Sequence, residues 1–268
     1  VYTELLLEFL HLLTFAIVYF TFIWWAAKQI NNWSIVDIFW SYGFAVVGIK
    51  YLYSYFSKIT GPTFILIVLT IFWSLRLGTH LAKRIFGNIE HEDGRYVKLR
   101  KQWAKDLNFK MFQFFMLQAL ILAILLTPIA SSVLHEKKSL QPVHVVGVVI
   151  AVFALIGELI ADQQLRNFKK TAPRSKVCDV GLWTWTRHPN YFFEWLIWVG
   201  FALLSYNDSY YAVPGILCAG LMFYLLTKVS GIPMTEEHLL SSKGEAYKKY
   251  QQEVPAFWPR KPKVKSKV

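Results

Sequence analysis

Most of this sequence is taken up by apolar runs, generally of roughly 17–24 residues, the length a helix needs to cross a hydrocarbon core of roughly 30 Å. They read as Leu5–Ala27, Val36–Phe56, Pro62–Leu81, Met111–Leu134, Val143–Ala161, a shorter Tyr191–Ser205, and Tyr210–Lys228. The last two form a hairpin around the polar turn Tyr206-Asn207-Asp208-Ser209. A chain of 268 residues with 55% hydrophobic and only 17% charged residues is too apolar for an ordinary soluble domain. The expectation is an all-α integral membrane protein with about seven transmembrane helices.

Orientation follows from lysine and arginine, which stay on the cytoplasmic side near span ends. The third connection carries Lys83, Arg84, Arg95, Lys98, Arg100, Lys101, Lys105 and Lys110, and the fifth carries Arg166, Lys169, Lys170, Arg174, Lys176 and Arg187. Both are expected to be cytoplasmic, with the N-terminus outside and the basic C-terminal stretch from Lys243 cytoplasmic as well. Residues 1–260 read as a single polytopic domain and 261–268 as a basic disordered tail. The first run lacks a basic leader and a small-residue cleavage site, so it reads as a retained helix.

The formal charge of +12 flanks apolar spans and contains no nucleic-acid module, so anionic lipid and an anionic cofactor are the expected partners, not nucleic acid. Cys178 and Cys218 lack metal-ligand spacing, and a disulfide between a loop and a span is not expected. No metal site is read.

Ionisable groups at membrane depth are costly, so they usually face a cavity or one another. Glu158, Asp162 and Arg166 are spaced four apart on the fifth run, Arg76 and His80 repeat that spacing on the third, and Asn190 and Glu194 on the sixth. Either these pairs are interhelical packing contacts or they line one cytoplasm-facing cavity. Asp37, at the start of the second run, is either a helix N-terminal carboxylate or a buried acid with a chemical role.

The segment from Asp179 to Glu194 is the most informative. Gly181 permits a tight approach, Pro189 suits a first helical turn, and Arg187 with His188 lies beside that turn's unpaired N–H groups, a ready anion site. Tyr191 and the tryptophans also fit an interfacial aromatic belt. Glu92-Asp93-Gly94-Arg95-Tyr96 is a second candidate, in which Arg95 and Tyr96 suit a phosphate and a planar ring.

The stretch Gly181-Leu-Trp-Thr-Trp-Thr-Arg-His-Pro-Asn-Tyr191, with Glu194, resembles the C-terminal signature of steroid 5-alpha-reductase-like membrane proteins. Ser230-Gly-Ile-Pro-Met-Thr-Glu-Glu-His238, Pro255-Ala-Phe-Trp-Pro259 and Glu92–Tyr96 resemble its DUF1295 branch. The likeness runs from about residue 70 onward. It implies a seven-helix, NADPH-dependent reductase of a carbon–carbon double bond in a lipophilic substrate (steroid-like, fatty acyl or isoprenoid), in the endoplasmic reticulum or a bacterial inner membrane. By the same resemblance, Arg76, Arg95, Tyr96, Glu158, Asp162, Lys169, Asn190 and Glu194 fall on cofactor or active-site positions. Arg187 joins them as a phosphate ligand, and His80, Arg166, His188 and Tyr191 as further cofactor-binding candidates of the same polar set. Trp73 stands where the reductases carry a tyrosine, Glu158 where they carry an asparagine, and Asp37 is a candidate for the catalytic acid alongside Glu194.

The Arg-His-Pro-x-Tyr loop is also similar to isoprenylcysteine carboxyl and phospholipid methyltransferases. In that alternative Arg187, His188, Tyr191 and Glu237, of the pair Glu236-Glu237, surround S-adenosylmethionine. A non-enzymatic scaffold or transporter is a third class.

Overall fold

The computed structural model describes residues 2–59, 61–135, 139–173, 175–207 and 210–261, and every regular element among them is helical. Arg174, the Asp208-Ser209 half of the expected hairpin turn, and residues 262–268 of the expected tail lie outside the described residues. The helices are α1 (Tyr2–Ile30), α2 (Ile35–Tyr55), α3 (Gly61–Phe86), α4 (Gly94–Gln102), α5 (Leu107–Leu125) and α6 (Thr127–Leu134). They continue with α7 (Pro142–Thr171), α8 (Pro189–Leu204), α9 (Val213–Tyr224), α10 (Ile232–Lys243) and α11 (Glu245–Glu253).

Among the described residues, six stretches are long and apolar enough to cross a membrane: Thr3–Ile30, Ile35–Tyr55, Gly61–Phe86, Leu107–Leu134, Pro142–Thr171 and Tyr210–Lys243. The chain is thus a multi-pass membrane protein by length and composition. The run expected as a sixth span is the exception. It forms α8, with 16 residues, and at about 1.5 Å per residue such a helix falls short of a roughly 30 Å core. Several spans outrun their apolar sequence. α7 continues ten residues past Ala161 through Gln-Gln-Leu-Arg-Asn-Phe-Lys-Lys, because straight-chain polar residues favour helix wherever water solvates them. The fourth run bends instead at Leu126. Pro128 has no N–H to offer the preceding turn, and the Thr127 hydroxyl donates to the Ile124 carbonyl at 2.6 Å.

The contacts divide the chain into two compact units, Val1–Val145 with Ala202–Cys218, and Val146–Phe201 with Ala219–Val268. In the first, α2 packs on α3 and α1 on α5. Gly78 permits the α2–α3 approach, since a Cβ there would lie 2.5 Å from the Tyr42 ring. An aromatic column, half-buried Trp40 followed by buried Phe44 and Trp73, has edge-to-face rings 5.0 Å apart at each step. In the second unit, Gly157 of α7 admits the ring of Phe193 from α8, which would lie 2.4 Å from an added Cβ. A wide turn at Leu225–Val229, closed by the Ser230 N–H on the Leu225 carbonyl at 2.9 Å, leads from α9 into α10.

Candidate functional site

Two polar clusters gather several of the side chains singled out in the sequence, one in each unit. The first gathers where α1 turns into α2. Asn31 adopts a left-handed conformation (φ 56°), and the segment before α4 is tied to that corner. The Asn32 amide donates to the Ile89 carbonyl (2.8 Å), the Trp33 N–H to Glu92 (2.7 Å), and the Asp93 N–H to the Ser34 hydroxyl (2.9 Å). Arg100 grips Glu92 through Nε (3.0 Å) and Asn31 Oδ1 through Nη1 (3.1 Å).

On this frame α4 delivers Arg95 and Tyr96 to Asp37. Arg95 Nη2 donates to Asp37 Oδ2 at 2.7 Å, and the Tyr96 hydroxyl donates to Oδ1 at 2.7 Å. Asp93 caps α4 through the Arg95 N–H (3.1 Å) and also pairs with the Arg95 guanidinium. The Asp37 carboxylate beside Arg95 holds that guanidinium firmly protonated. Burial, reinforced by Asp37, pushes the Tyr96 phenol well above its ordinary value and keeps it a donor. Burial raises the Asp93 carboxyl, but the hydrogen bonds and charge of Arg95 more than offset this and hold it low. Asp37, Arg95 and Tyr96 therefore bind one another. Both Asp37 oxygens accept from fixed donors, an arrangement that suits an ionic latch better than a proton donor. Arg76 and His80 lie one turn apart on α3, both half-buried.

The second cluster is built by the 181–188 loop. Gly181 sits at φ 55°, where a Cβ would lie 2.3 Å from the Gln164 side chain, and Gln164 accepts the Leu182 N–H at 2.9 Å. The Trp183 indole donates to the Ala161 carbonyl of α7 at 3.0 Å. The loop then meets the segment after α11. The Arg187 N–H donates to the Pro255 carbonyl, the Arg260 N–H to the Trp185 carbonyl (each 2.9 Å), and the Thr186 hydroxyl faces the Ala256 and Phe257 carbonyls (each 3.0 Å). Phe257 enters an aromatic box of Phe192, Trp195, Phe223 and Trp258, with ring centroids 5.2–5.8 Å from its own.

Arg187 is spent inside this junction. It is 9% exposed; its Nε donates to Glu236 Oε1 at 2.7 Å, and its Nη1 to the carbonyls of Gln251 (2.9 Å) and Val254. Glu236 is the hub: Oε1 also accepts from His188 Nε2 (3.1 Å) and the Tyr247 hydroxyl (3.4 Å), and Oε2 accepts from the Gln251 amide (2.8 Å). Because a carboxylate only accepts, the His188 proton belongs on Nε2. Burial lowers the His188 pKa despite the opposing pull of Glu236. Its ring lies parallel to Tyr191, with centroids 5.3 Å apart, and the Tyr191 hydroxyl meets Thr235 at 2.9 Å.

Asn190 follows Pro189 in the first turn of α8. Its Oδ1 is buried and has no hydrogen-bond partner among the described residues. Glu194, one turn on, is buried and accepts from the Trp198 indole at 3.1 Å. On α7, Glu158 is buried, Asp162 half-buried, and Arg166 and Lys169 exposed; Arg166 donates to Gln163 at 2.6 Å.

Glu237, the glutamate expected at a methyl-donor site, is exposed, and its neighbour Glu236 takes the central place. Consecutive helical residues point about 100° apart, so only one of the pair can face the loop, and the sequence does not say which. Gln164 and Gln251 were equally unmarked in sequence, and Thr186 and Tyr247 had no role assigned, because their partners lie far away along the chain. Cys178 and Cys218 are both buried free thiols.

A family model described as "Protein of unknown function (DUF1295)" matches residues 23–254. An uncharacterized protein of Schizosaccharomyces pombe is 26% identical, in an alignment covering 89% of this chain and 76% of the relative. No solved structure matches.

Proposed function

Since the chain belongs to the DUF1295 family, whose description names no activity, we propose from its own side chains that it is an NADPH-dependent membrane reductase. Its substrate is a lipophilic molecule drawn from the bilayer, in which a carbon–carbon double bond is saturated. One observation carries this reading: Asn190 Oδ1 is buried without a donor among the described residues, one residue from the stacked His188–Tyr191 rings. An orphaned acceptor costs about 1–3 kcal/mol, so native proteins seldom bury one unless something else supplies the donor. The carboxamide of a nicotinamide offers such an N–H, so the donor–acceptor chemistry fits.

When bound, the dinucleotide supplies a hydride to one alkene carbon, and a proton reaches the other. The work of the chain is to bind and orient. Asn190 accepts from the carboxamide, the packed Phe193 and Glu194 turn holds Asn190 in place, and exposed Arg166 and Lys169 at the end of α7 supply cations for phosphates. Arg187 acts at one remove, by locking the loop that sets the start of α8. The lysines and arginines after α7 support a cytoplasmic position for this end of that helix, where NADPH is found, with the N-terminus outside and the endoplasmic reticulum or a bacterial inner membrane as the setting.

The same acceptor suits the ammonium group of S-adenosylmethionine, so one experiment separates the two. The full chain is purified in detergent and its melting temperature followed with NADPH, NADH and S-adenosylmethionine. At about one hundred times Kd, a ligand that binds only the native state contributes about 2.7 kcal/mol. NADPH raises the melting temperature of the native chain but not of Asn190→Ala. A shift with S-adenosylmethionine alone sinks the reductase reading in favour of methyl transfer.

A further inference from the structure

The turn between α4 and α5 belongs to neither cluster. It encloses a hollow of about 370 Å³ lined by Lys101, Gln102, Trp103, Lys105, Asp106 and Lys110. Backbone bonds shape it: the Trp103 N–H closes α4 on the Leu99 carbonyl, the Asp106 N–H turns back to Trp103, and the Lys110 N–H opens α5 on Asp106, each at 2.9 Å. Its floor is anchored by aromatic packing. Trp103 rests on Phe114 (6.3 Å between centroids), and Phe114 on Tyr96 (6.1 Å), whose hydroxyl is held by Asp37. The three lysines and Asp106 are exposed while Trp103 is half-buried, so the rim carries a net positive charge on a fixed base.

The depth of the hollow follows from the helix it opens onto. Leu107 begins a candidate span, so Lys101 and Lys105 precede its apolar stretch and Lys110 lies in its first turn, where a charged end group reaches a headgroup region. One face of α5 is buried through Met111, Phe115, Ala119 and Leu122, while Phe109, Leu117 and Leu120 remain 62%, 51% and 38% exposed along another. A polar cationic cup above an exposed apolar stripe matches a molecule with a phosphate at one end and an acyl chain at the other.

We propose that the α4–α5 turn is a binding site for one anionic phospholipid, its headgroup phosphate held by Lys101, Lys105 and Lys110 and its acyl chain laid along Phe109, Leu117 and Leu120. A soluble phosphate has no use for the stripe, and a zwitterionic lipid carries a cation that the lysines repel. This inference is independent of the reductase reading, because none of these residues belongs to the proposed cofactor site.

The test uses the full chain in a neutral detergent, titrated separately with phosphatidylglycerol, phosphatidylcholine and inorganic phosphate, with the melting shift as readout. Phosphatidylglycerol gives a saturable shift. The Lys101→Gln/Lys105→Gln/Lys110→Gln variant needs about tenfold more of it, roughly a third of a decade per lysine after screening at physiological salt. Asp106→Asn moves the midpoint the other way, and Lys248→Gln, in the other unit beside Glu245, leaves it in place. The assignment is overturned by equal shifts from phosphatidylcholine, by an equal shift from inorganic phosphate, by an unchanged midpoint in the triple variant, or by no shift at all.

Discussion

Replacing Arg187 by alanine removes the centre of the junction between the 181–188 loop and the segment after α11. The guanidinium donates to Glu236 and to the carbonyls of Gln251 and Val254 while only 9% exposed. Its loss leaves a largely buried carboxylate short of its main cationic partner, for which breaking a buried pair costs about 3–5 kcal/mol. Glu236 keeps His188, Tyr247 and Gln251 as donors, so the lower end, about 3 kcal/mol, is expected. At about 2–4 °C per kcal/mol for a chain of this size, the melting temperature falls by roughly 6–12 °C. Arg187→Lys keeps the charge but cannot reach Glu236 and two carbonyls at once, so it falls between. The assay is thermal unfolding in detergent without any nucleotide. If Arg187→Ala melts within about 2 °C of the native chain, the junction does not depend on this side chain, and direct phosphate binding becomes its better explanation. A loss of nucleotide binding in that variant would therefore be uninformative unless its fold were checked first.

Asn190→Ala is expected to leave the ligand-free melting temperature unchanged or slightly raised, since it removes a buried acceptor that has no partner among the described residues; a fall would mean that Oδ1 is already satisfied. Asp37→Ala should lower stability by about 2–4 kcal/mol, more than Tyr96→Phe at about 1 kcal/mol, because it strands the Arg95 guanidinium as well as the phenol; denaturation of both variants checks the order. Burial holds the His188 pKa below its ordinary value, so below about 6.5 the unfolded chain binds a proton that the folded chain does not. Its contribution is thus complete above that pH and is lost as pH falls toward the folded pKa. Melting curves between about pH 5 and 8 should show the native chain losing more stability on acidification than His188→Gln, and the opposite slope would refute the neutral, buried imidazole. Gly157→Ala puts a methyl 2.4 Å from the Phe193 ring and should cost about 1–3 kcal/mol, whereas the exposed Gly220→Ala, which meets nothing within 4 Å, should not destabilise.

The helical membrane class was legible in the sequence because desolvating backbone polar groups leaves a long apolar run no option but helix. Local chemistry was equally legible: Gly181 does allow a close approach, to the Gln164 side chain, and Pro189 does begin α8. Span number and length were less so. α8 counts as apolar by composition yet has only 16 residues, and α7 runs far past its apolar stretch, since helix ends depend on propensity and capping as well as on hydropathy. Arg95, Tyr96 and Asp37 were each marked as unusual, and so were Arg187 and His188. Only tertiary structure decided that the first three bind one another, that Arg187 is spent on carbonyls beyond α11, and that Glu236, not Glu237, is the hub. The reason is physical: a sequence pattern reports which face of its own helix a residue occupies, while the partner of a buried charge is chosen by chain segments dozens of residues away whose approach no local period encodes.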